Sequence, residues 1–150
     1  MRVAGTVVGI LILVAIAAGY VRRPLAGDAG RPPAGEGPRV PAGTPTAVAA
    51  LLDGACADCH SDNTRWPWYA GVPPASWLVA GHVRQGRRFV NFSHFDERSE
   101  KDRRDILRAI EREVKSGSMP LRSYTLLHPR ARLSPRDRAA IVSWAASTAN

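Results

Sequence analysis

The chain has 150 residues, a formal net charge of +8 at pH 7 and only two cysteines. This length supports one domain with accessory sequence. Arginine supplies nearly all of the positive charge and is scattered along the chain, which favours a compositional bias of the source genome. A basic surface that steers acidic partners is the alternative. No nucleic-acid-binding motif is present, so we expect no nucleic-acid partner.

Residues 1–21 read as a signal anchor or a signal peptide. The stretch 3–21 is apolar and uncharged, and arginines flank it on both sides. As a helix it would be about 28 Å long, close to the roughly 30 Å thickness of the bilayer's hydrocarbon core. Ala15-Ile16-Ala17 offers a small-x-small cleavage site, which is typical of a signal peptide. We favour the uncleaved anchor, which makes the membrane one partner of the chain.

Residues 22–45 predict a disordered tether. They contain six prolines and five glycines and almost no large apolar side chain. Such a stretch buries too little surface to offset the entropy lost on ordering. We therefore expect it to give reach to a folded domain over residues 46–150.

The first helix of that domain leads into its most informative motif. Thr44 or Thr46 could cap a helix whose apolar positions fall on one stripe and which runs into Cys56-Ala57-Asp58-Cys59-His60. This C-x-x-C-H pattern is the attachment motif of a c-type haem. Two thiols spaced three apart can each bond one vinyl group, and the adjacent imidazole can take an axial position on the iron. The motif predicts one covalent haem c.

The C-x-x-C spacing also occurs in two other kinds of site. A redox dithiol of the thioredoxin type should follow a strand in a βαβ pattern, and no such pattern lies nearby. A structural zinc site needs four ligands, and His82, His94 and His128 show no matching spacing with the two cysteines. Both alternatives are weaker than haem attachment.

Since bacterial haem attachment is completed outside the cytoplasmic membrane, we expect an inner-membrane protein with its haem domain in the periplasm, or a soluble periplasmic protein after cleavage.

The remaining pattern predicts helices and no strand. Ser76 could cap a helix that extends to about Arg87, and residues 89–95 read as a turn. Ser99 with Asp102 could begin an amphipathic helix that Gly117 ends. Ser134-Pro135 with Asp137 would open a final helix. The fold class is therefore all-α, with the motif helix expected to pack across the final helix through Ala50 and Gly54 against Trp144 or its neighbours.

An aromatic stretch follows the motif and suggests further haem contacts. Trp66 and Trp68 could cover the apolar faces of the ring, and Arg65 could bind a propionate. Ordinary core packing is the alternative for the two tryptophans. These residues are candidate cofactor-binding residues rather than catalytic ones.

The sixth position of the iron separates the possible functions. Met119, apart from the initiator the only methionine, lies past a helix end and before Pro120, so a loop would present its sulfur. A methionine ligand raises the reduction potential. His82, on a helix among apolar residues, is the alternative distal ligand. An open sixth site would allow small ligands to bind.

Many short stretches of the chain resemble one known group. They are Cys56 to Ser61, Asn63 to Tyr69, Pro74 to Leu78, His82, Gly86-Arg87, Asn91 to Ser93, Met119 to Tyr124, Leu127 to Pro129 and Ala131 to Ser134. In these residues the chain resembles the small haem-binding domain proteins of bacteria, which belong to the cytochrome c-like set. The resemblance covers about residues 46–147 and leaves the tether outside. The resemblance implies haem binding through Cys56, Cys59 and His60. Met119 fits the loop methionine of that family.

These observations predict an exported, membrane-anchored monohaem c-type cytochrome. Its cytochrome c-like helical domain would surround one covalent haem and carry one electron between redox partner proteins, so it is more a carrier than an enzyme. A peroxidase-like haem enzyme or a small-ligand haem sensor, each with an open sixth site, is the alternative.

Overall fold

The computed structural model describes residues 9–10 and 31–150, and the described part is helical. Its α-helices are α1 (Thr46–Ala55), α2 (Ala57–His60), α3 (Ala75–Phe89), α4 (Glu100–Ser116), α5 (Arg122–Leu127) and α6 (Pro135–Thr148). Short 3₁₀ turns span Trp68–Gly71, Phe92–His94 and Pro129–Ala131. No strand occurs among these described residues, so the prediction of an all-α fold is confirmed for them.

None of the helices in the described ranges has both the length and the apolar character that crossing a bilayer requires. The predicted signal segment, residues 1–21, lies outside the described residues except for positions 9 and 10.

Two long helices have the ends that their sequences predict. Ser99 caps α4 by accepting a hydrogen bond from the backbone N–H of Asp102. Ser134 and Asp137 form a reciprocal capping box at the start of α6. Gly117 ends α4 at a φ of 77°, a left-handed conformation that favours glycine because it has no Cβ.

Two other predicted caps are wrong. Helix α1 starts after Pro45 with no side-chain cap, and the hydroxyl of Thr44 donates instead to the carbonyl of Pro41 at 2.8 Å. Helix α3 starts one residue before Ser76, which is buried within its first turn. In both cases a proline precedes the first turn. Its fixed φ suits the entry to a helix, so neither start depends on a hydroxyl cap.

The core lies where α1, α4 and α6 meet. Leu52, Leu107 and Ile141 are almost fully buried there, together with Trp144. Helix α1 contacts α6 as predicted. The small residues expected at that crossing lie elsewhere, because Ala50 is exposed and a Cβ on Gly54 would meet the carbonyl oxygen of Arg130 at 3.8 Å.

The second part of the predicted tether, residues 31–45, packs against the helical domain. We call this segment the strap. The strap lies against the helical domain, where Arg39 binds the carboxylates of Asp53 at 2.5 Å and Asp58 at 2.8 Å. Backbone carbonyls of the strap accept hydrogen bonds from the side chains of Arg87 and Ser93. The prediction of disorder considered only the apolar surface that the segment could bury. It did not include polar contacts with other segments, which also offset the entropy lost on ordering. Residues 22–30 lie outside the described residues.

Candidate functional site

The junction of α1 and α2 presents the C-x-x-C-H motif from a single turn. The backbone N–H of Cys56 donates to the carbonyl of Leu52 at 2.9 Å and so continues α1. The N–H groups of Cys59 and His60 both donate to the carbonyl of Cys56, at 3.1 and 3.0 Å. Leu52 and Ala57 are fully buried and anchor this turn to the core. The two thiols and the imidazole are therefore held in a fixed local arrangement.

Neither thiol has the character of a redox dithiol. Cys56 and Cys59 are not joined in a disulfide. Desolvation, with a smaller effect of Cys59, raises the pKa of Cys56 to about 12. Desolvation also raises the pKa of Cys59 to about 11, with the neighbouring Asp58 carboxylate acting in the same direction. Redox dithiols have lowered pKa values, so the structure does not favour that alternative.

His60 has the tautomer that a metal ligand needs. Its Nδ1 lies 3.0 Å from the carbonyl oxygen of Val90. Because a carbonyl only accepts, Nδ1 carries the proton and Nε2 keeps its lone pair. Desolvation lowers the pKa of His60 and so favours the neutral ring. A backbone carbonyl that holds one ring nitrogen of a histidine commonly orients the other toward a metal.

An apolar cleft adjoins the motif. Its cavity volume is about 140 Å³, which is below the roughly 300 to 1,000 Å³ of typical small-molecule and cofactor sites. One wall comes from the motif and the residues after it, a second from α3 and a third from Leu121 and α5. The lining comprises Asp58, Cys59, Thr64, Arg65, Pro67, Tyr69, Ala75, Leu78, Val79, His82, Val83, Leu121, Ser123, Tyr124 and Leu127.

Three of the predicted site residues lie at this cleft. Cys59 contributes from the motif, Arg65 from the loop after it and His82 from α3. The guanidinium of Arg65 is exposed and pairs with the carboxylate of Asp53 at 2.6 Å. Among the described residues, none forms a hydrogen bond with the half-buried imidazole of His82. Arg65 therefore lies at the rim of the cleft and His82 lies in its wall.

The other predicted residues lie outside the cleft lining. Trp68 is 85% exposed, and Trp66 packs under the guanidinium of Arg31 with 4.8 Å between the guanidinium carbon and the ring centroid. Cys56 and His60 lie on the same turn as Cys59. Met119 is half-buried and precedes Leu121, which does line the cleft. The loop that carries Met119 therefore leads directly into the cleft wall.

Asp58, Tyr124 and Gly86 contribute to the site through contacts that the sequence did not predict. The phenol of Tyr124 donates to Asp58 inside the motif at 2.9 Å, and its ring stacks on His128 with centroids 4.0 Å apart. No local pattern predicts such a pair, because its members are 66 positions apart in the sequence. Gly86 gives a weak signal, since a glycine inside an amphipathic helix often marks a close backbone approach.

Gly86 brings α3 directly against the motif. A Cβ at this position would lie 2.5 Å from the carbonyl oxygen of Cys59. We expect Gly86→Ala to lower the free energy of unfolding by about 2 kcal/mol, because backbone would have to move. Urea unfolding followed by circular dichroism measures the change.

Gly81 on the same helix provides the matched control. A Cβ there would meet nothing within 4 Å. Gly81→Ala should raise the free energy of unfolding by roughly 0.5 to 1 kcal/mol through helix propensity. Equal effects of the two substitutions would contradict the close contact between α3 and the motif.

The donor set fits a haem better than a bare metal ion. Two thiols and a neutral imidazole share one turn, and Asp58 and Cys59 of that turn border an apolar cleft with an arginine at its rim. By contrast, no cluster of three or more His, Cys, Asp or Glu side chains in the described part of the chain is arranged to hold a metal ion. The zinc alternative therefore gains no support from these residues.

Comparison with known proteins agrees with this fit. The family model named haem-binding domain matches residues 29–147. The match begins within the predicted tether, so the strap is part of the family pattern, contrary to the prediction that it lies outside. A comparison with curated proteins and one with solved structures each found no match. The family model covers well over half of the chain, so the chain belongs to the haem-binding domain family.

Proposed function

We propose that the chain is an exported monohaem c-type cytochrome that carries one electron between redox partner proteins. The observation that supports this most is the C-x-x-C-H turn beside an apolar cleft, with the Nδ1–H of His60 bound to the carbonyl of Val90 at 3.0 Å. Membership of the haem-binding domain family supplies the cofactor class. The covalent link between haem and the two cysteines and the electron-carrier role go beyond the family match and are part of our proposal.

Cys56 and Cys59 would each form a thioether with one vinyl group. In each addition the sulfur bonds one vinyl carbon and the thiol hydrogen passes to the other, so no oxidant is consumed. The raised pKa values of both cysteines keep them as thiols near neutral pH. The two bonds would fix the ring against the cleft through a single turn of chain.

His60 would occupy the proximal position. The Val90 carbonyl holds its ring orientation and makes it a better electron donor, which is the usual effect of such a partner. When bound, haem supplies an iron that accepts and releases one electron. The residues of the cleft wall would exclude water from the ring, and Arg65 could pair with a propionate at the rim.

We propose Met119 as the distal ligand. Its backbone N–H donates to the carbonyl of Glu113 at 3.1 Å, and Arg138 donates to its carbonyl at 3.1 Å. The loop is thus fixed on both sides of the Met119 α-carbon. A closed sixth position would suit an electron carrier, because no site would remain for a substrate.

One observation supports a second candidate function. His82 lines the cleft, and no residue in the described ranges forms a hydrogen bond with its ring. A polar side chain of this kind could act as a distal ligand in place of Met119. If the sixth position is open, it could instead assist a peroxidase-like enzyme or a small-ligand sensor.

The proposed location follows from export. With residues 1–21 as an anchor, the haem domain would lie on the periplasmic side of the inner membrane, and after cleavage it would be soluble there. Redox partners would then be periplasmic or membrane proteins.

An optical spectrum of the purified haem-bearing protein tests the carrier role against the alternative. We expect low-spin iron in both oxidation states, and carbon monoxide should convert the ferrous form only at concentrations well above those that saturate a haem with an open sixth site. A high-spin spectrum with ready binding of carbon monoxide would contradict the carrier and favour the enzyme or sensor.

A further inference from the structure

Asp58, the residue before the second cysteine, connects the motif with three other segments. One carboxylate oxygen, Oδ1, accepts from the Arg39 guanidinium at 2.8 Å and from the backbone N–H of Arg65 at 3.2 Å. The other oxygen, Oδ2, accepts from the hydroxyl of Tyr124 at 2.9 Å. The Asp58 side chain is only 17% exposed. Both oxygens are therefore engaged, and each contact fixes the position of the motif turn relative to a neighbouring segment.

The Tyr124 ring is held in the orientation that this contact needs. It stacks on the imidazole of His128 with an interplanar angle of 17°. The Nδ1 of His128 lies 2.9 Å from the carbonyl of Tyr124, so it carries a proton and donates. Its Nε2 can then accept from the hydroxyl of Tyr69 at 3.3 Å. This arrangement leaves the Tyr124 hydroxyl directed at Asp58.

The same tyrosine lies five residues after Met119. The backbone of Met119 is bound to α4 through Glu113 and to α6 through Arg138. Neither of these bonds reaches the motif. Among residues 31–150, the Tyr124–Asp58 bond is the only hydrogen bond that joins α5 to the motif turn. It therefore provides a direct polar link between the segment after Met119 and the turn that would hold the haem.

We propose that Tyr124 is a positioning residue that, through Asp58, holds the Met119 loop at the distance from the motif turn that iron ligation requires. This inference rests on the proposed function, since it concerns the distal ligand of that haem. A neutral thioether is a weak ligand, so its occupancy depends on how well the loop is preorganised. Loss of the Tyr124 hydroxyl would loosen the loop and weaken the sulfur–iron bond without touching either group.

Competition with carbon monoxide measures this effect in the full haem-bearing chain. We expect the ferrous Tyr124→Phe variant to be half-converted at about one tenth of the carbon monoxide concentration that the unsubstituted protein requires. This is the lower end of what a hydrogen bond to a charged group contributes. The absorption band that a methionine–iron bond gives in the ferric protein should weaken in parallel.

Thr125→Val is the matched control. It removes a hydroxyl from the next residue of α5, but that hydroxyl donates to the carbonyl of Arg122 in the same helix at 3.2 Å and does not contact Asp58. Its carbon monoxide midpoint should stay within about twofold of the unsubstituted protein, because no bond to the motif is lost. A shift as large as that of Tyr124→Phe would overturn the specific role of Tyr124.

A double substitution tests whether Tyr124 acts through Asp58. In an Asp58→Ala background, Tyr124→Phe should cause no further shift, whereas two independent effects would add. Asp58→Ala alone also tests the proposal if Tyr124→Phe does not fold. The proposal is overturned if Tyr124→Phe or Asp58→Ala carries one haem and binds carbon monoxide as the unsubstituted protein does. Absence of haem from the unsubstituted chain would instead overturn the proposed function.

Discussion

Replacing both Cys56 and Cys59 with serine is expected to abolish all retention of haem after the protein is denatured. A thioether is a covalent bond and survives denaturation, whereas a coordination bond to His60 is lost when the fold is lost. The substitution is nearly isosteric, and the hydroxyl does not add to a vinyl group. Haem-dependent staining of a denaturing gel, after expression in cells that carry out cytochrome maturation, measures the retained haem.

The single variants sharpen this test. Cys56→Ser and Cys59→Ser each leave one thiol, so we expect reduced haem retention through one remaining bond. Met119→Ala serves as the control, because it alters a proposed coordination bond and leaves both thioethers in place. Haem that stays with the double variant under denaturing conditions would contradict covalent attachment at this motif.

Met119→Ala should convert a low-spin iron spectrum to a high-spin one. Loss of the sulfur would open the sixth position, so carbon monoxide should then bind readily. The reduction potential should fall as well, by a substantial part of the range of about 0.8 V over which axial ligands set haem potentials. Optical spectra and a redox titration measure both changes.

His82→Ala is the matched comparison for the distal ligand. It truncates the other candidate, which lines the same cleft. We expect its spectrum to remain low-spin. The reverse pattern, with Met119→Ala unchanged and His82→Ala high-spin, would assign the sixth position to His82. A high-spin spectrum in the unsubstituted protein would favour the enzyme or sensor.

Local sequence signals predicted the features that depend on neighbouring residues. The C-x-x-C-H spacing identifies haem as the cofactor class because all of its donors lie within one turn. The caps at Ser99 and Ser134 and the stop at Gly117 were predicted because capping needs only a few adjacent residues. Such patterns are readable without knowledge of the tertiary fold.

Contacts between distant segments could not be read in this way. The Tyr124–Asp58 bond joins residues that are 66 positions apart, and the strap is ordered through carbonyls that carry no sequence signature. Arg39 reads as one of many scattered arginines, yet it pairs with two carboxylates beside the motif. Composition alone also made residues 31–45 look like a tether, because the polar partners that order them come from elsewhere in the chain.

The mass of the intact, denatured protein shows whether one haem is bound covalently. After expression in cells competent in cytochrome maturation, we expect one species heavier than its polypeptide by the mass of a single haem, with no thiol available to an alkylating reagent. A species at the mass of the bare polypeptide, with Cys56 and Cys59 both open to alkylation, would contradict the account.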